Sequence, residues 1–152
     1  MRANSPDSVR KHDTAVTGAV GAVVAHLVFT GSHTVAHVSI PVEIAAWQAA
    51  YAGVVLVAAP LVGVGSLLGG RYRLGAWLLL GAGLAALGFE GTLHFLVEGS
   101  DNVANVSRGT DLFRSTALLT TASDALLVVA GGVLLRRHRQ GSAATPATVS
   151  KT

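Results

Sequence analysis

Histidine falls at positions 26, 33 and 37 of this chain, with steps of seven and four residues between them. At about 100° per residue those steps put all three imidazoles within one narrow arc of a helix, with Thr30 between them. Glu90 and His94, four apart, share a face in the same way, and Thr116, Thr120, Ser123 and Asp124 make a third polar stripe. Imidazole and carboxylate on facing helices can ligate a metal ion, pass a proton, or hydrogen-bond one helix to the next.

These groups sit in an apolar chain. Of its 152 residues 51% are hydrophobic and 12% charged, and the mean hydropathy is +0.55. Soluble domains carry about twice that share of charge, so the composition predicts a membrane protein. No cysteine is present, which removes a disulfide framework, a thiolate metal site and a cysteine nucleophile. The net charge of +3 comes from Lys and Arg at the edges of apolar segments and builds no basic surface, so nucleic acid is not expected as a partner. No phosphate loop, nucleophile elbow or Ser/His/Asp arrangement occurs, and hydrolytic catalysis is not expected.

Four apolar runs are long enough to cross a hydrocarbon core of roughly 30 Å: residues 15–38, 44–68, 74–97 and 112–135. Pro60 should kink the second without ending it. Residues 1–13 read as a polar tail, 14–136 as the transmembrane domain and 137–152 as a disordered tail. Arg2, Arg10 and Lys11, then Arg71 and Arg73, then Arg136, Arg137, Arg139 and Lys151 lie on one side of the predicted layout, against Arg108 and Arg114 on the other. That asymmetry predicts both termini in the cytoplasm of a multi-pass cell-membrane protein. The first run has no A-x-A-like site behind it, so cleavage as a signal peptide is not expected. Trp47 and Tyr51 fall at the outer end of span two, Tyr72 and Trp77 at the inner end of span three, where aromatic residues favour the interface. Gly81, Ala85 and Gly88 on span three and Ala130, Gly131 and Gly132 on span four offer faces for close helix approach.

Depth decides which polar groups can meet. Counted at about 1.5 Å per residue, His26 and Asp124 both lie about 16 Å into the core, a shared level at which they could pair. Glu90 at about 24 Å, His33 at about 27 Å and His94 at about 30 Å share the outer third with His37. Glu43, at the start of span two, is a fifth candidate. The outer set of His33, His37, Glu90 and His94 suits zinc, copper(II), iron or nickel, because a cation offsets the burial of its ligands. Haem ranks below a single ion, since only His26 is deep enough for a buried macrocycle and no second histidine shares its level. The competing reading needs no cofactor: the same groups hydrogen-bond helices together, and outer ones reach water or headgroups. For His26 and Asp124 the functional alternative is a step in a proton relay.

Phe89-Glu90-Gly91-Thr92-Leu93-His94-Phe95, then Asp101-Asn102-Val103, then Phe113-Arg114-Ser115-Thr116-Ala117-Leu118-Leu119 resemble a group of small, functionally unassigned prokaryotic four-span integral membrane proteins. The resemblance covers spans two to four and implies a fold and a location but no activity. Where that pattern has a histidine shortly after Asp-x-Val, this chain has Asn105, a departure that weakens the case for a ligand from the outer loop. The sequence thus predicts an all-α, antiparallel four-transmembrane-helix bundle. Its leading function is metal binding through the outer His/Glu cluster in an accessory or transport role. The alternatives are a structural subunit of a membrane complex and a proton-coupled carrier using Asp124 and His26. Membrane lipids, other membrane proteins or a second copy are the partners such a chain would meet.

Overall fold

Helices form wherever the chain runs apolar without a turn signal, and the computed structural model, which describes residues 6–40 and 42–143, contains no strand among them. Helix α1 spans Pro6–Ser39, and the second span is α2 (Ala46–Tyr51), a π-helical segment (Ala52–Ala58) and α3 (Ala59–Leu68) in unbroken succession. Helix α4 (Tyr72–Gly91) closes with a π turn over Thr92–Leu96, and α5 spans Thr110–Ala143. Four stretches of 26, 23, 25 and 31 residues are long and apolar enough to cross a membrane, each exceeding the 20 or so residues a bilayer requires.

The helical ends differ from the sequence reading at both termini. Helix α1 already begins at Pro6, inside the segment read as a tail, and α5 continues to Ala143, through residues expected to be disordered. A helix that crosses the bilayer carries its hydrogen-bonded register onward into polar sequence, and nothing in Arg136–Gln140 stops it. Residues 144–152, the rest of that predicted tail, lie outside the described residues, as do residues 1–5.

The spans pack as a ring. Helix α5 lies between α1 and α4, α4 contacts α3, and the seam between α1 and the second span is the sparsest. Both described terminal segments and the tight turn after α3 share one end, here the terminal end; the connections 40–45 and 97–109 share the other, the loop end. The turn is a Schellman motif: Gly70 takes φ 77°, Arg71 N–H donates to Ser66 O at 2.8 Å and Gly70 N–H to Leu67 O at 3.1 Å.

The bundle is inside-out by the standards of a soluble protein. Its polar residues His26, His33, Glu90, His94, Thr120 and Asp124 are buried, while Val28, Val35, Val54, Leu61 and Val129 are half or more exposed. Such a surface is stable against hydrocarbon and not against water. At the terminal end the core is apolar: Ala19, Val23, Leu67, Ala76, Leu79, Leu127 and Leu134 close it. Backbones approach there at glycines, though not all those expected. A Cβ on Gly83 would stand 2.8 Å from Val128 N and 2.9 Å from Asp124 O, and one on Gly131 2.6 Å from Leu80 N, whereas Gly81, Gly88 and Gly132 face open space. The packing face of α4 is the one that carries Ala76, Leu79, Gly83, Ala86 and Glu90.

Pro60 does not end its span, because the π-helical segment before it absorbs the missing bond: Ala59 N–H reaches back five residues to Val54 O. Proline has no N–H to offer the carbonyl four residues earlier, that of Leu56. That carbonyl is taken instead by a side chain from α1.

Candidate functional site

The side chain on the Leu56 carbonyl is His26, whose Nε2 lies 2.7 Å from it. A carbonyl only accepts, so Nε2 carries hydrogen. The other nitrogen, Nδ1, stands 3.1 Å from Asp124 Oδ1 and 3.2 Å from Ser123 Oγ. Ser123 gives its own hydrogen to Thr120 O at 2.7 Å and can only accept from His26. The Nδ1 to Oδ1 contact therefore holds with one proton in it, on the imidazole or on the carboxyl. Both side chains are fully buried, and Asp124 Oδ2 has no hydrogen-bond partner.

Two turns nearer the loop end, the structure brings His33, His37, Glu90 and His94 together. His33 Nδ1 lies 3.0 Å from Thr116 Oγ1, whose hydrogen is committed to the carbonyls of Leu112 and Phe113 in its own helix. Thr116 is thus the acceptor and Nδ1 the protonated nitrogen, which leaves His33 Nε2 bare in the neutral ring. His94 is fixed in the same sense, since its Nδ1 donates to the carbonyl of Asp101 at 2.8 Å. The two Nε2 atoms face each other at 3.1 Å, and Glu90 Oε2 stands 3.0 Å from that of His94. His37 Nε2 approaches Asp101 Oδ1 at 3.2 Å, while its Nδ1 is buried without a partner. His33, His37 and His94 each offer a nitrogen within 4.8 Å of the others.

The π turn and the loop after it build this arrangement. Val97 N–H bonds Thr92 O, five residues back, and Val103 N–H bonds His94 O at 3.0 Å, folding the loop over the last turn. Asn102 donates to Val97 O and accepts from Ala104 N–H, and Asn105 donates to Gly99 O. Asn105, whose presence argued against a loop contribution, ties the loop down, and the loop does contribute: Asp101 Oδ1 meets His37 at 3.2 Å and His94 Nδ1 at 3.4 Å. Burial works against ionisation of Asp101, but the hydrogen bond from His37 and the charges of His94, His37 and His33 outweigh it and hold the carboxyl below its usual range. Phe113, fully buried, lies 5.0 Å from the rings of both His33 and His37 and shields the cluster on the α5 side.

Glu43 does not join the cluster. Its side chain is exposed, and only its backbone carbonyl takes part, accepting from Ser100 Oγ at 3.0 Å. Position in sequence put Glu43 near the histidines, but the connection turns its side chain outward and Asp101 takes the fifth place. Sequence reasoning missed Asp101 as a site residue although it had singled out the Asp-Asn-Val segment; the roles of Thr116 and Phe113 had no sequence signal beyond their helical spacing. Between α1 and the second span, a cavity of about 80 Å³ reaches from His33, His37, Glu90, His94 and Asp101 past Thr30 to Leu56.

Comparison with protein-family models, curated proteins and solved structures finds no match to this chain. Fold and site alone define the class: a polytopic membrane protein of four helices with a buried histidine cluster.

Proposed function

We propose that this protein binds one divalent transition-metal ion, zinc, copper or iron, at the loop end of its bundle, with His33, His37 and His94 as ligands and Glu90 as fourth ligand or base. The observation that carries the proposal is the direction of the lone pairs. In the neutral rings, Thr116 and the Asp101 carbonyl hold the hydrogens of His33 and His94 on Nδ1, so that both Nε2 lone pairs and a Glu90 oxygen converge on one another. Such outer partners orient ligating histidines in metal sites generally. Four ligands at about 2.1 Å from a tetrahedral ion stand about 3.4 Å apart. The His33–His94 pair at 3.1 Å and the His94–Glu90 pair at 3.0 Å are within a few tenths of an ångström of that, while the His37 nitrogen, within 4.8 Å of the other two, would have to move in. A cavity of about 80 Å³ favours a bare ion over haem, because sites for organic ligands start at about 300 Å³.

With the termini cytoplasmic, as the Lys and Arg distribution favours, the site lies in the outer leaflet of the cell membrane and would exchange its ion with the outer side. An accessory or transport role follows from that position. The test is the metal content of detergent-purified protein by elemental analysis, for wild type and for the double variant His33→Ala, His94→Ala. Near-stoichiometric metal in the first and none in the second supports the reading. Metal absent from wild type even after reconstitution with zinc or copper(II) removes it and leaves hydrogen bonding between helices as the role of the cluster.

A further inference from the structure

The metal reading makes no use of His26 and Asp124, the most deeply buried ionisable pair among the described residues. A charge here costs several kcal/mol even on lenient insertion scales, roughly 2.5 to 3.5, and an apolar pair would hold α1 to α5 without that cost. The surroundings of the pair are asymmetric. Towards the terminal end the next residues inward on each helix are Val23, Leu79 and Leu127, all buried in the apolar cluster. Towards the loop end the next turn of α1 brings Thr30, whose buried hydroxyl oxygen has no protein partner and lines the cavity. Leu56 lines the same cavity while its carbonyl accepts from His26. Unsatisfied buried hydroxyls take ordered water, and the cavity is large enough for several molecules. The cavity thus runs from the loop-end cluster to Thr30 and to Leu56, whose carbonyl holds His26, while the other side of the pair meets an apolar seal.

We propose that His26 and Asp124 form a proton-binding site, loaded from the loop end through this cavity and closed towards the terminal end, so that the protein takes up and returns a proton on one side of the membrane. The chemistry is a simple transfer. A hydronium ion in the cavity gives its proton to the pair and leaves water, and no bond other than those to the proton changes. Asp124 Oδ2, buried and unpartnered, is the second basic position, available once Nδ1 and Oδ1 already share a proton. Few other charges face the pair. Helix α1 adds His33 two turns away, α4 adds Glu90 with His94 beyond it, the second span adds no Asp, Glu, Lys, Arg or His, and α5 adds none within two turns of Asp124. The proposal holds with or without a metal in the outer cluster.

Infrared spectroscopy of the full metal-free chain in lipid nanodiscs reads the site directly. The difference between wild type and Asp124→Asn should contain the C=O stretch of a protonated carboxyl that grows as pH is lowered from about 8 to about 5 and shifts on transfer to deuterium oxide. Thr30→Val keeps the shape of the side chain and removes the hydroxyl. It should leave the band in place, with an unchanged helical circular-dichroism signal, and slow its deuterium shift by an order of magnitude or more. An Asp124 signal identical across that pH range, or one that never exchanges, would make the pair a fixed structural link and overturn the proposal. Exchange in Thr30→Val as fast as in wild type would overturn the assigned route.

Discussion

Thr116→Val isolates the feature on which metal binding depends, because it removes one oxygen and keeps the shape of a side chain that touches no metal. In the wild type Thr116 Oγ1 spends its hydrogen on its own helix and accepts from His33 Nδ1 at 3.0 Å. With valine there, the Nδ1 hydrogen of a buried ring loses its acceptor, at a cost of about 1–3 kcal/mol. His33 then gains by moving the hydrogen to Nε2, where it blocks the nitrogen that faces His94. Loss of such an orienting partner typically weakens metal binding by about 10- to 100-fold, or about 1.4–2.7 kcal/mol, which agrees with the hydrogen-bond figure. Competition with a chromophoric zinc chelator in detergent measures it. The expected result is that drop in affinity with unchanged stoichiometry, and recovery of most of it in Thr116→Ser. Equal affinity in Thr116→Val and wild type would refute the tautomer argument, as would a serine variant as weak as the valine one.

Three further outcomes follow from the same geometry. His26→Ala leaves Asp124 buried without its partner and should destabilise the protein by about 3–5 kcal/mol in a reversible unfolding assay in micelles, while Asp124→Asn costs clearly less; equal losses would show that the pair's ionic chemistry is unimportant. Gly83→Ala puts a methyl against the backbone of α5 and should cost about 1–3 kcal/mol, whereas Gly88→Ala, which faces open space, should be neutral by the same assay. Asp101 is a carboxyl whose folded pKa is lowered, so its stabilisation of the loop is complete above the unfolded value of about 3.9 and is lost only as pH falls through the lower folded value. Amide exchange across residues 97–109 should therefore stay slow at pH values near that unfolded value in wild type and be fast there in Asp101→Asn.

Much of the molecule follows from the sequence because a bilayer leaves few choices. Uncharged runs of sufficient length must be helices, since hydrocarbon offers no partner for an open backbone. The seven and four spacing placed His26, His33 and His37 on one face, and a fixed rise per residue matched His26 to Asp124 and the outer histidines to Glu90, before any contact was known. Such counting fixes depth along a helix but not the rotation of one helix against another. Gly83 rather than Gly81 or Gly88 lies against α5 for that reason: all three are equally small, and only the packing of α4 decides which one a neighbour needs. Loops escape the counting altogether. Asp101 reaches the histidines, and Glu43 does not, through backbone bonds to His94 and side-chain bonds of Asn102 and Asn105 that follow no helical period. The tautomers belong to the tertiary structure as well, because they depend on what stands 3 Å from each ring nitrogen: Thr116, the Asp101 carbonyl and the Leu56 carbonyl that Pro60 leaves free. The sequence therefore determined which costly groups the membrane would have to accommodate and at what level, while helix rotation and loop folding decided which of them meet and where each proton sits.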